Sequence, residues 1–90
     1  MKYTVIVKRL AQTHIQDIIK SGDKSSIKKL KQILTDLEIN PMEGVGNPEQ
    51  LKHNLSGYWS RRINKKDRII YEIIEEPSGL VVVISALGHY

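Results

Sequence analysis

Ninety residues with no cysteine, 40% of them hydrophobic and 27% charged, describe one globular domain and exclude a disulfide framework or a thiolate zinc site. The longest apolar run, 80–84, is far too short to span a bilayer, and MKYTVIVKRL has no signal-peptide pattern, so no membrane contact and a cytoplasmic location are expected. The formal net charge of +4 favours an acidic partner.

Residues 2–8 alternate, with Tyr3, Val5 and Val7 on one side, which predicts a first strand. Residues 10–20 carry Ala11, Ile15, Ile18 and Ile19 at helical spacing, and Gly22 follows as a stop. A second helix is predicted over 24–38, capped by Asp23 or Ser21, with Ile27, Leu30, Leu34 and Leu37 as its apolar stripe. Asn40-Pro41 ends it, and the short break between the helices implies an antiparallel hairpin. Lys24, Lys28, Lys29 and Lys31 read as the solvated face of this second helix.

Residues 41–54 read as loop, punctuated by Pro41, Gly44, Gly46 and Pro48. Strands are predicted at about 55–63, 67–75 and 80–88, joined by turns at Asn64-Lys65-Lys66 and Glu76-Pro77-Ser78-Gly79. The order β-α-α-β-β-β implies an α+β domain, a two-helix hairpin packed on a small antiparallel sheet.

The charge is concentrated. Between Lys52 and Arg68 lie six cations (Lys52, Arg61, Arg62, Lys65, Lys66 and Arg68) against one acid, Asp67, enough to bind a polyanion through counterion release. Adjacent strand residues point to opposite faces, so Arg61 and Arg62 cannot line the same groove, whereas Arg62 and Arg68 can do so across the intervening turn.

The run PMEGVGNPEQLKHNLSGYWSRRI, followed by Asp67-Arg68-Ile69-Ile70-Tyr71 and the terminal Gly88-His89-Tyr90, resembles the YoeB/Txe-type toxins of the RelE superfamily of bacterial mRNA interferases. The resemblance covers about half of the chain densely. The N-terminal part departs from the family pattern, with Lys8, Arg9 and His14 where aromatic and acidic residues are usual.

The resemblance implies a single RelE-like domain over 1–90 that cuts messenger RNA in the ribosomal decoding site, with no metal and no cofactor, by attack of a ribose 2′-hydroxyl on the neighbouring phosphate. It assigns Glu49 as general base, His89 as general acid and Arg68 as the principal transition-state cation, with Tyr90 orienting the nucleotide. Arg62 and Lys52 would hold phosphate oxygens, and His53 would contact RNA or support its loop. It also implies a YefM/Axe-like antitoxin, operator DNA as a target of the antitoxin complex, and a homodimer. The alternative is a non-catalytic relative that binds nucleic acid or antitoxin in operon autoregulation.

Trp59, amid Leu55, Tyr58 and Ile63, reads as core rather than as a base-stacking residue. His14 reads as a structural or surface histidine, and the three histidines stand too far apart for a metal site. Gly44-Val45-Gly46 lacks the Lys-Ser/Thr helix start of a phosphate-binding loop.

Overall fold

Strand alternation and two amphipathic helices together build an α+β domain in the computed structural model, which describes residues 2–87. The elements are β1 (Thr4–Val7), α1 (Arg9–Ser21), α2 (Lys24–Ile39), β2 (Glu49–Gln50), β3 (Tyr58–Arg62), β4 (Arg68–Ile74) and β5 (Leu80–Ser85). A 3-10 turn, His53–Leu55, lies between β2 and β3.

Gly22 stops α1 as expected, in the left-handed conformation (φ 74°) with its N–H donating to the Ile19 carbonyl. Asp23 then caps α2 at once. Its carboxylate accepts from the Ser26 amide at 3.4 Å and from the Ser26 hydroxyl at 2.8 Å. These bonds, the hydroxyl first, hold the Asp23 carboxyl below its ordinary range. Its contribution to stability is therefore present at neutral pH and is lost as pH falls through the folded value.

Ala11 and Ile18 from α1, and Leu30, Ile33 and Leu37 from α2, pack on Ile69, Tyr71, Val81 and Val83 of the sheet. Each such Leu or Ile contributes about 1.5–3 kcal/mol when fully buried. Trp59 is half-buried against this core, on its predicted side.

The strands lie in the order β1-β5-β4-β3-β2. β3, β4 and β5 form antiparallel hairpins, as their short turns require. Two features correct the expected sheet. β1 pairs with β5 in parallel, from Thr4↔Leu80 to Val7↔Val83. No hairpin joins these two strands, because the helix pair and the other three strands intervene, so their relative direction is not set by a turn. The second correction lies within 41–54, expected as loop. Glu49–Gln50 pairs antiparallel with Ser60 and Trp59 and becomes a fifth strand, satisfying backbone groups that would otherwise line a bare edge of β3.

Candidate active site

Period-two geometry sorts the sheet into two faces. On β4, Ile69, Tyr71 and Ile73 point under the helices, which places Arg68, Ile70 and Glu72 on the other face. On β3, Trp59 and Ile63 mark the helix side, with Arg61 between them in phase, while Arg62 points away. The β3–β4 register sets Arg62 directly opposite Arg68. Side chains of directly opposed residues share a face, so Arg62 and Arg68 both leave the sheet on the face away from the helices.

Glu49 joins them from β2. Its Oε1 lies 3.4 Å from Nη1 of Arg68, with the Glu49 side chain 57% exposed and the Arg68 side chain 29% exposed. So open a pair contributes little to stability. Three of the residues singled out in the sequence, Glu49, Arg62 and Arg68, thus come together from three adjacent strands.

Lys52 and His53 stand close by in the chain but apart in their bonding. Both are exposed, and among the described residues neither makes a hydrogen bond or ion pair to Glu49, Arg62 or Arg68. Lys52 caps the 3-10 turn, its carbonyl accepting from the Leu55 amide, and His53 holds a left-handed φ of 60°. That conformation is uncommon for a residue with a Cβ and fixes the direction in which the imidazole leaves the backbone. His89 and Tyr90 lie outside the described residues.

The chain leading to that terminal pair is anchored on both sides. The strand irregularity at Ile70/Tyr71 places Ile84 as an additional residue in β5, so that Ser85 stands opposite Ile70. The amide of Ala86 then donates to Nδ1 of His14 on α1 at 3.0 Å. His14 is therefore structural, one of its two anticipated roles.

The residue that organises the loop before Glu49 is Arg61, for which no role is expected from the sequence. Arg61 is fully buried, and each of its five N–H donors has an acceptor. Nη1 donates to Asp36 Oδ2 at 2.7 Å and to the Val45 carbonyl at 3.2 Å. Nη2 donates to the carbonyls of Asn40 at 2.7 Å and Glu43 at 2.9 Å, and Nε to the Tyr71 hydroxyl at 3.1 Å. The Tyr71 hydroxyl donates in turn to the Pro41 carbonyl at 2.7 Å, and burial pushes the Tyr71 pKa up, keeping it a donor. The Asp36 carboxylate also accepts the Val45 amide at 3.0 Å.

One cation thus gathers residues 40–45. Gly44 lies against this hub with φ 130°, and a Cβ there would collide with the Asp36 carboxylate. The glycines of Gly44-Val45-Gly46 therefore make room for a buried arginine. The signal in the sequence was the alternation that turned Arg61 inward, together with a buried charge's need for an anionic partner.

Among the described residues, no group of three or more His, Cys, Asp or Glu side chains is placed to hold a metal ion. The comparisons with known proteins agree with the architecture. The model of the YoeB-like toxins of bacterial type II toxin–antitoxin systems matches residues 11–90. Toxin YoeB of Escherichia coli O6:H1 is 48% identical over 68 residues, which are 76% of this chain and 77% of that one. The structure of a YoeB dimer from Staphylococcus aureus superposes with a TM-score of 0.79 at 31% identity over the whole of both chains. A heterotetrameric YoeB–YefM toxin–antitoxin complex from the same species gives a TM-score of 0.77 at 31% identity, again over both whole chains. With four-fifths or more of its length matched by one family model and its fold shared with these toxins, the chain belongs to the YoeB-like toxins of bacterial type II toxin–antitoxin systems.

Proposed function

We propose that this chain is an endoribonuclease that cuts messenger RNA held in the ribosomal decoding site. The observation that carries this is the Glu49–Arg68 pair at 3.4 Å, with Arg62 opposite Arg68 on the same face. It sets a proton acceptor against phosphate-binding cations. Glu49 removes the proton from a ribose 2′-hydroxyl, and that oxygen bonds to the adjacent phosphorus. Arg68, Arg62 and Lys52 stabilise the charge that builds on the phosphoryl oxygens, guanidinium being suited to contact two oxygens at once. His89 gives a proton to the departing 5′-oxygen as its bond to phosphorus breaks. The products are a 2′,3′-cyclic phosphate and a 5′-hydroxyl. Tyr90 orients the reacting nucleotide, and His53 supports the RNA-facing loop.

So small a site needs its substrate held in line for attack, and the ribosome supplies that orientation. The basic face is also the natural surface for an acidic antitoxin segment that folds as it binds. We extend to this chain the YefM-type antitoxin and the dimer of the Staphylococcus aureus proteins, with operator DNA as the target of the antitoxin complex. Among the described residues no helix is long and apolar enough to cross a membrane. The cytoplasm, where translating ribosomes are found, is the proposed location.

The decisive experiment is primer extension on message from ribosomes exposed to the purified protein, with deoxyribose at the mapped cut in a parallel arm. Discrete cuts within translated codons are expected, and they should disappear at the deoxy-substituted position. Cutting that continues there would replace the internal nucleophile with water. An uncut message beside intact antitoxin binding would establish the non-catalytic alternative.

A further inference from the structure

Beside the proposed active face, the structure forms a groove of which this mechanism uses only Arg62. It lies between α2 and the β3–β4 turn, has a volume of about 390 Å³, and is lined in part by Lys29, Asn47, Arg62 and Lys65. Its lining holds three cations and no carboxylate. Among the described residues no acid pairs with any of the three, whereas the other two buried or site arginines, Arg61 and Arg68, each have a carboxylate partner.

The groove has fixed walls. The Asn64 side-chain amide donates to Ser26 Oγ on α2 at 2.8 Å and to Asp67 Oδ2 at 3.1 Å, while Asn64 Oδ1 accepts the amides of Lys66 and Asp67. These bonds tie the turn that carries Lys65 to the helix that carries Lys29. On the other side, the Arg62 amide donates to the Gly46 carbonyl at 2.6 Å, holding Gly46 and Asn47 alongside Arg62. Lys29 itself is half-buried, unlike the exposed Lys24, Lys28 and Lys31 on the same helix. It is therefore separate from the solvated stripe to which its helical neighbours belong. Three cations set around one groove with no carboxylate among them repel one another, and an anionic ligand would relieve that repulsion.

We propose that this groove is a second phosphate subsite, in which Lys29 and Lys65, with Arg62 at its mouth, hold the message strand beside the cut. The proposal rests on the endoribonuclease function above. Continuity selects the occupant. Arg62 belongs both to the groove and to the face shared with Arg68, and Asn47 precedes Glu49 by two residues, at most about 7 Å of extended chain. A strand with its reacting phosphate at Arg68 therefore runs past Arg62 into the groove. An acidic helix would need apolar anchors. The groove's aliphatic side chain, Ile63, is only 4% exposed and offers no such anchor.

The test compares Lys29→Gln/Lys65→Gln with Lys24→Gln/Lys28→Gln, a control that removes the same charge from the solvated stripe. Cleavage is measured on message-programmed ribosomes across a salt series, and binding is measured on vacant ribosomes and on the antitoxin. The groove variant should raise KM about tenfold with little change in kcat. It should also flatten the plot of log kcat/KM against log salt by about 1.4, from roughly 0.7 per phosphate contact on a single strand. The control should show less than half of that change.

An unchanged KM and salt slope would overturn the subsite. Equal weakening on vacant ribosomes would assign the lysines to ribosomal RNA, and weakening confined to the antitoxin would assign them to that partner; either result also overturns it. If the unsubstituted protein fails to cut, the endoribonuclease function falls. If it cuts and the groove variant matches it, only the subsite falls.

Discussion

Glu49→Gln is expected to slow message cleavage by about 10²–10⁴-fold, the range that a positioned acid or base contributes, while the protein melts at nearly its original temperature. Glutamine keeps the shape of the side chain and leaves the β2–β3 backbone pairing untouched. It removes only the negative charge and the proton-accepting oxygen. The ion pair lost with Arg68 is long, and its carboxylate is mostly in solvent, so the stability change should fall within a few tenths of a kcal/mol. Activity and stability therefore separate in this variant. Truncation after Gly88 should give a loss at least as large, because it removes both the proposed acid and Tyr90, while antitoxin binding persists. Single-turnover cleavage with a thermal melt on each protein checks both. A Glu49→Gln protein that cuts within a few-fold of the original would remove Glu49 from proton transfer.

How much of this was legible in the sequence depended on whether local rules or long-range packing decided a residue's place. Gly22 and Asp23 ended one helix and began the next through bonds to neighbours a few residues away, so their roles could be read directly. Alternation placed Arg62 and Arg68 on a common face because a short turn fixes the hairpin register. By the same rule Arg61 takes the face opposite to Arg62, yet the rule could not reveal what Arg61 meets. Asp36 lies 25 residues away, and the Asn40, Glu43 and Val45 acceptors are backbone carbonyls with no sequence signature.

Helical periodicity failed more narrowly. Helical spacing puts Ile18 and Ile19 together on the apolar face of α1, but adjacent residues are about 100° apart on a helix, and Ile19 is 50% exposed. Ile33, absent from the predicted stripe of α2, is fully buried because the helix packs a wider face than a single stripe. The parallel β1–β5 pairing and the two-residue β2 depended on which edges the finished sheet left unpaired, a property no short window of sequence contains.

The consecutive arginines supply the sharpest contrast, since their substitutions should have opposite consequences. Arg61→Ala should cost about 3–5 kcal/mol, the range for breaking a buried ion pair by removing one partner. Asp36 keeps 30% of its side chain exposed and can recover some hydration, which favours the lower end. Against that, the carbonyls of Asn40, Glu43 and Val45 and the Tyr71 hydroxyl all lose a donor together. At about 4–8 °C per kcal/mol for a domain of this size, a loss of about 3 kcal/mol lowers the melting temperature by roughly 12–24 °C. Arg61→Lys should recover only part of this, because an ammonium can meet Asp36 but cannot span carbonyls arranged for a planar fork. Arg62→Ala, one residue on, should leave the melting temperature within a few degrees, since the exposed side chain makes no hydrogen bond to the described residues and its backbone bond to Gly46 survives. Its effect should appear in cleavage instead. Thermal unfolding and cleavage measured on the same three proteins decide the matter: an Arg61→Ala protein as stable as Arg62→Ala would show that residues 40–45 hold their course without the buried cation.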